Sequence, residues 1–210
     1  MEFDLQGADK SRAYQLLASV VVPRPIALVT TLGEDGLVNA APFSFFNLMG
    51  GDPPAVALNI ALRDASVHKD SLGNIEAAGE FVVNLVSEAL ASSMNICAID
   101  FPPGVSEPTE AGLITVPSVK VAPPRLAASP VQLECRLHQV VGMGGNRIVL
   151  AEVVFLHVHD EFVDTENRRI HAEALGLIGR MHGGGWYART TDLFEMPRIP
   201  YSEWQVKTQE

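Results

Sequence analysis

The sequence predicts a mainly β fold (α+β), an antiparallel barrel that is closed or partly open and carries added helices. Short apolar runs are separated by turn-forming residues, as at residues 33–36 and 144–146. Residues 131–138 alternate apolar and polar side chains, which is typical of a half-buried strand. The sequence lacks the repeated strand–helix–strand units of a parallel sheet. These observations together favour a barrel over a doubly wound sheet.

The first elements follow from helical spacing, proline and turn chemistry. Residues 6–17 can form a short helix, after which Pro23 and Pro25 hold the chain extended. The apolar residues 26–29 then begin a strand. The turn at 33–36 leads into residues 37–41, which predicts a hairpin. A third strand is expected at 55–61.

The middle of the chain changes to helical spacing and then returns to strands. Leu72, Ile75 and Ala78 share one helix face, with Asp70 or Ser71 as the N-cap and a stop at residue 79. Residues 81–86 are predicted as a buried strand. Ser87 can cap a second helix over 88–98, and the acidic, proline-rich residues 100–108 form an excursion from the barrel.

The last predicted elements are two long strands. Val131, Leu133, Cys135 and Leu137 are expected to face the core, with the polar residues between them facing solvent. The turn at 144–146 returns the chain into a strand over 147–159. Residues 142–146 superficially resemble a dinucleotide fingerprint, but they lie between strands without a following helix, so we expect a turn and no nicotinamide domain.

Charge and cysteine count narrow the class of protein. The 25 acidic and 15 basic residues give a formal net charge of −10, which disfavours a nucleic-acid partner because such binding needs a basic face. No apolar run reaches the roughly 18 residues that span a bilayer, and no signal peptide is evident, so we expect a cytoplasmic protein without a membrane partner. Cys97 and Cys135 are expected to be reduced and packed.

Residues 43–47 carry the first candidate binding chemistry. Ser44, Phe45, Phe46 and Asn47 follow a proline at the end of a strand, where free backbone N–H groups and the Asn47 amide could meet the edge of a flat heteroaromatic ring. From the residues alone, the phenylalanines are more simply interpreted as core side chains.

A second candidate site lies at the start of the helix that is predicted between Asp70 and Ala78. Asp70, Ser71 and the first free N–H groups of that helix form a suitable phosphate site, with Lys69 and Arg63 as nearby cations. The alternative is that Asp70 and Ser71 only cap the helix while Lys69 is solvated.

The chain resembles the flavin reductase-like family. The landmarks in order are Arg24-Pro25, residues 39–47, Lys69-Asp70-Ser71 with Asn74-Ile75, residues 79–84, and Gly179-Arg180 near Tyr187. The resemblance covers about residues 20–190. It implies an FMN-binding split β-barrel with antiparallel Greek-key strands, found as homodimers, and a single domain over residues 1–210.

The resemblance also implies roles for individual residues. Lys69, Asp70 and Ser71 would hold the FMN phosphate, with Ser71 in place of the more usual threonine. Ser44, Phe45, Phe46 and Asn47 would line the isoalloxazine ring or ribityl chain, which Thr30 would also reach. The remaining candidates are Arg24, Arg63, Arg180 and His182, the last in a glycine-rich loop that could close over the flavin or be an ordinary surface loop.

The function implied by the resemblance is that of a flavoprotein oxidoreductase. FMN supplies the redox chemistry, so we expect no dedicated catalytic side chain. The specific expectation is a flavin reductase that takes hydride from NADH or NADPH and supplies reduced flavin to a monooxygenase component. The alternatives are an FMN carrier without rapid turnover, a flavoenzyme of unknown substrate, and a heme protein on a related barrel, against which the phosphate motif argues. The paired strand residues His157 and His159 are expected to be ordinary side chains, with no metal site.

Overall fold

The computed structural model describes residues 1–62, 70–201 and 204. The chain is mainly β, as predicted. Four α-helices occur among these residues: α1 (Ala13–Val20), α2 (Asp70–Ala78), α3 (Ala91–Ile96) and α4 (Glu107–Glu110). Short 3₁₀ helices lie at Lys10–Arg12, Glu88–Leu90, Asp160–Phe162 and Ala172–Leu175. None of the described helices is long and apolar enough to cross a membrane.

The described strands are of two kinds: longer strands of six or more residues, and short strands of two or three residues. In chain order they are β1 (Arg24–Pro25), β2 (Ala27–Leu32), β3 (Val38–Phe43), β4 (Phe46–Gly51), β5 (Pro54–Ala61), β6 (Glu80–Leu85), β7 (Thr115–Val116), β8 (Arg125–Leu126), β9 (Val131–Met143), β10 (Asn146–Val158), β11 (Val163–Asp164), β12 (Arg169–Ile170), β13 (Ile178–Arg180) and β14 (Tyr187–Arg189).

Seven strands form the main sheet in the order β3-β2-β6-β9-β10-β5-β4, and every pair in it is antiparallel. Its two edges, β3 and β4, are consecutive in the chain and are separated only by Ser44 and Phe45. Since β3 also packs against β5, the sheet curls back towards itself without an edge-to-edge pairing. Ser44 and Phe45 therefore cross the opening of the split barrel, which we call the seam.

Two apolar clusters hold the sheet. The inner cluster comes from the inward faces of the sheet strands and from α2, with Leu72, Ile75, Phe81 and Cys135 among its fully buried members. The outer cluster places Met94 and Cys97 of the α3 region on the opposite face of the sheet. Because both faces are covered, the central strand residues of β2 and β6 are buried almost continuously.

A small three-stranded sheet, β1-β13-β14, lies beside the main one. Arg24 pairs with Arg180, and Pro25 pairs with Gly179. A Cβ on residue 179 would lie 2.8 Å from Pro23 Cβ, so the close approach of these strands requires glycine there. This contact brings the two arginines of the sequence landmarks together.

Most predicted elements are confirmed, with shifted boundaries. The N-terminal helix begins later than predicted, at Ala13, because the Asp4 carboxylate accepts the N–H groups of Gln6 and Gly7 and holds a turn there. The expected helix over 88–98 is a 3₁₀ turn followed by α3. Strand β4 was missed, because its first residues were interpreted as the end of the preceding strand.

The predicted solvent-facing side of β9 is wrong at two positions. Gln132 and Glu134 are fully buried. The chain between residues 117 and 129 packs over them, and its backbone supplies their hydrogen-bond partners. A polar face of a strand can therefore be buried when a loop with matching polar groups covers it.

Candidate functional site

Two cavities flank the seam. The larger, about 690 Å³, lies among α1, α3, the end of β3 and the β13–β14 hairpin. The smaller, about 330 Å³, runs along β4 and β5. Arg24 and Ser44 line both. Volumes of about 300–1,000 Å³ are usual for small-molecule sites. The larger cavity alone is therefore large enough to hold a small molecule.

The predicted ring-binding residues 44–47 lie at this opening. Ser44 is half-buried in the bend, while Phe45 is exposed, with its ring 5.9 Å from that of Tyr14 and 5.6 Å from Arg24 Cζ. Asn47 is exposed, and its Oδ1 accepts a hydrogen bond from the Leu48 N–H at 2.8 Å. Among the described strands β4 pairs only with β5, and the other side of an edge strand presents unpaired backbone groups.

Phe46 differs from its neighbours in this segment. It pairs with Leu58 across β4 and β5 and packs against the inner apolar cluster. Its ring therefore belongs largely to the core, as the residue pattern alone suggested, although it also borders the smaller cavity.

Arg24 is buried and is held by main-chain oxygens. Its Nη1 donates to the carbonyls of Ala18 and Val21 at 2.8 and 2.7 Å, and its Nη2 donates to Met181 O at 3.0 Å. These bonds join the end of α1 to the β13–β14 hairpin. Its Nε is buried and has no hydrogen-bond partner among the described residues.

Arg180 is half-buried at the mouth of the larger cavity. Its Nη1 donates to the Tyr187 hydroxyl at 2.6 Å, and its Nη2 donates to the carbonyls of Gly183 and Gly184 at 3.2 and 2.8 Å. The guanidinium also lies over the Tyr187 ring, 4.8 Å from its centroid. Arg180 thus fixes the glycine-rich loop in the hairpin, and both loop glycines border the cavity.

His182 projects from the same loop. Its ring stacks on Trp186 with 6.3 Å between centroids, and both side chains are exposed. His182 is not among the described residues that line the larger cavity. Its expected contact with the flavin remains a prediction.

Thr30 of β2 is fully buried. The side chain is inaccessible, its hydroxyl donates to Pro124 O at 2.6 Å, and it also accepts from Asn84 Nδ2 at 3.2 Å. Thr30 thus lies beneath the chain around Pro124, and its expected contact with the ribityl chain remains a prediction.

The predicted phosphate residues lie apart from the seam. Ser71 is buried in the first described turn of α2, where its hydroxyl accepts from Asn39 Nδ2 at 2.9 Å. Asp70 borders a separate groove of about 530 Å³. Carboxylates line that groove, from Glu34, Asp35, Asp70 and Glu107. Arg63 and Lys69 lie outside the described residues, so phosphate binding there depends on side chains that the structure does not describe.

Two residues that line the smaller cavity each carry a buried polar atom without a hydrogen-bond partner among the described residues. These atoms are Arg24 Nε and Asn59 Oδ1. Buried polar groups are normally satisfied, so an unpaired donor and an unpaired acceptor in these two residues are unusual, although neither atom is itself accessible in the structure. Sequence analysis missed Asn59, although a lone amide inside the apolar run of β5 was a usable signal.

Among the described residues, no side chain around the seam is activated as a nucleophile. Burial raises the pKa of Cys97 and of Cys135 to about 12, so both thiols stay protonated near neutral pH. His157 is engaged elsewhere, with its Nε2 2.6 Å from Glu134 Oε1. The arrangement can bind and orient a redox cofactor but offers no covalent catalysis.

Comparisons with known proteins agree with this geometry. The family model of the flavin reductase like domain matches residues 19–174. An uncharacterized protein of Deinococcus radiodurans is 46% identical over 212 residues, covering 99% of this chain and 93% of the relative.

Two solved structures share the fold at substantial identity. The 2-nitrobenzoate 2-nitroreductase NbaA of Pseudomonas fluorescens has a TM-score of 0.86 at 35% identity, covering 96% of this chain and 98% of its own. Nitrilotriacetate monooxygenase component B of Bacillus cereus has a TM-score of 0.87 at 30% identity, with 93% and 98% covered. The predicted split barrel is confirmed.

Proposed function

Because the chain belongs to the flavin reductase like family and is a flavin-binding oxidoreductase, we propose that it binds FMN and reduces it with NADH or NADPH. The observation that carries the proposal is the position of Ser44 and Phe45 at the seam. There an exposed ring and an edge strand border one small cavity, which Arg24 and Asn59 also line. FMN when bound supplies the chemistry, accepting a hydride and passing electrons onward.

The residues of this chain would bind and orient the cofactor. Ser44, Phe45 and Asn47 would border the ring, and Asn59 lines the same cavity. Lys69, Asp70 and Ser71, consecutive in the sequence, remain the proposed phosphate site on the strength of the sequence motif. The site needs no general acid or base of its own, since the hydride moves between cofactor and coenzyme.

The proposed partners are a second copy of the chain and a monooxygenase. The structural neighbour from Bacillus cereus is component B of nitrilotriacetate monooxygenase, which supports a protein that supplies reduced flavin to a separate oxygenase. The single domain would extend over residues 1–210, with the barrel core at about 20–190. A cytoplasmic location suits a role that depends on NADH or NADPH.

Anaerobic stopped-flow spectroscopy tests the reductase proposal. The purified protein, loaded with FMN, is mixed with NADH or NADPH, and the flavin absorbance near 450 nm is expected to bleach. Dithionite, which reduces flavins chemically, serves as the control for a competent flavin. If dithionite bleaches the absorbance and neither nicotinamide does, the reductase proposal is wrong. Titration with FAD in parallel tests the choice of FMN.

A second candidate function is direct reduction of a small organic compound on a flavin that stays bound. The neighbour from Pseudomonas fluorescens is a 2-nitrobenzoate 2-nitroreductase, and the larger cavity gives this chain room for such a compound beside the seam. Flavin that remains with the protein through gel filtration after turnover favours this candidate. Flavin that is released favours transfer to a partner.

A further inference from the structure

Two arginines face each other across the small sheet. Arg24 of β1 and Arg180 of β13 occupy directly paired positions, and both side chains line the larger cavity. Like charges at directly opposite cross-strand positions are destabilising. Two guanidinium groups placed in this way are therefore stabilised by an anion that binds in the cavity.

Neither arginine has a carboxylate partner in the part of the chain that the structure describes. The Nη atoms of both arginines donate to main-chain carbonyls, except for the one bond to the Tyr187 hydroxyl. Of the described residues that line the cavity, none is acidic. In a chain of net charge −10, this is a local concentration of positive charge with no protein counter-ion.

The two guanidinium groups each make three hydrogen bonds but differ in exposure. Arg24 is 7% exposed, and its carbonyl bonds hold it in the wall, with Nε unpartnered. Arg180 is half-buried and makes three hydrogen bonds. Since a guanidinium has five N–H donors, Arg180 keeps donors for a ligand. Arg180 is therefore the residue that can pair directly with an anion.

Three aromatic side chains are among the residues that line the cavity. Tyr14, Phe43 and Tyr187 all line it, and the Tyr187 ring lies against the Arg180 guanidinium. A ligand that satisfies this surface needs a flat ring and one compact anionic group. We propose that the larger cavity binds an aromatic carboxylate, with its carboxylate on Arg180.

This inference rests on the proposed function, because such a ligand at the seam would be the compound that exchanges electrons with the flavin. Binding of the ligand can nevertheless be measured without turnover. A failed nicotinamide reaction and a failed ligand titration are thus separate results.

Isothermal titration of the flavin-loaded protein with benzoate is the direct test, and benzamide is the neutral ligand of the same shape. Benzoate is expected to bind at least about tenfold more tightly, because a charge-assisted hydrogen bond is stronger than a neutral one. Arg180→Gln is expected to weaken benzoate binding by about tenfold or more and to leave benzamide nearly unchanged. Tyr187→Phe, which removes the acceptor that orients Arg180, is expected to weaken benzoate binding less.

Arg189→Gln is the matched control, since Arg189 lies in the same hairpin, pairs with Glu88 and does not line the cavity. It is expected to bind benzoate as the unaltered protein does. Equal binding of benzoate and benzamide to the unaltered protein would overturn the proposal, whether or not the variants fold. Binding of ADP in place of benzoate, with the same dependence on Arg180, would also overturn it, because the cavity would then take the pyrophosphate of the coenzyme.

Discussion

Glu134 is the most completely buried carboxylate of the described chain, with no exposed surface. The backbone N–H groups of Val119 and Lys120 donate to it at 2.7 and 2.6 Å, and His157 Nε2 lies 2.6 Å from its Oε1. Burial opposes ionisation of Glu134, but these hydrogen bonds outweigh burial and hold its pKa below the ordinary value. An ionised carboxylate can only accept, so Nε2 of His157 carries the hydrogen.

Glu134→Gln is expected to destabilise the protein by about 1–3 kcal/mol at neutral pH, because one buried N–H donor then faces an amide N–H₂ group. Since the pKa of Glu134 is lowered in the folded state, its contribution is present above the ordinary carboxyl pKa of 4.5 and is lost as the pH falls below that value. The variant should therefore lose less stability than the unaltered protein between pH 5 and pH 3.

Urea unfolding at several pH values measures both effects. Glu152→Gln, an exposed carboxyl on β10, is the control and should change little. A Glu134→Gln variant as stable as this control at neutral pH would show that the buried hydrogen bonds contribute no net stability.

At the scale of elements, helix α2 is connected to the barrel wall by Gly79, the residue that follows the helix. Gly79 follows the helix with a φ of +71°, its N–H donates to Ile75 O at 2.9 Å, and its carbonyl accepts from Leu137 N at 2.8 Å. The left-handed conformation lets one residue end the helix and begin the pairing with β9. Gly73, by contrast, lies inside the helix and has no positive φ.

The same substitution is therefore expected to act in opposite directions at these two glycines. Gly79→Ala should destabilise the protein by about 1–2 kcal/mol, because a Cβ in the left-handed region is strained although nothing lies within 4 Å of it. Gly73→Ala should stabilise it by about 0.5–1 kcal/mol, because alanine loses less backbone freedom in a helix interior.

Thermal unfolding followed by circular dichroism compares the two variants directly. Equal shifts of Tm in the same direction would contradict this account of α2. The Gly73→Ala result also reports whether the groove that residue 73 borders has room for a methyl group, since no described atom lies within 4 Å of that Cβ.

At the scale of the whole molecule, several large apolar side chains are exposed on the isolated chain. Trp186 and Tyr187 at the hairpin, Phe194 in the C-terminal segment and Trp204 near the chain end all have exposed side chains. Phe194 alone is 83% exposed. Exposed apolar surface often marks a protein–protein interface, and a contact between two copies would cover these side chains.

A homodimer is therefore expected in solution. Light scattering at micromolar concentration should give twice the chain mass of 22.6 kDa. Phe194→Ser is expected to weaken the association, whereas Ile114→Ser, which removes an exposed apolar side chain from a different segment, should not. A monomer mass for the unaltered flavin-loaded protein would rule out the dimer.

Local chemistry explains what the sequence determined by itself. Runs of a few residues were enough to predict the hairpin turns, the strand β9, the end of α2 at Gly79 and the candidate segment 44–47. Turn geometry and side-chain periodicity are short-range properties, so they can be interpreted without knowing the partners. The family landmarks and the split barrel followed from the same segments.

Only the tertiary structure decided which side chains meet and which surfaces are covered. Thr30 and Glu134 are buried because a distant stretch of chain packs over them, and Arg24 meets Arg180 because β1 pairs with a strand from the far end of the sequence. Asn59 became a candidate only because the structure shows that it lines the smaller cavity and that its side-chain oxygen has no partner among the described residues. Burial and cross-strand pairing depend on contacts between residues far apart in the chain, and no local pattern encodes them.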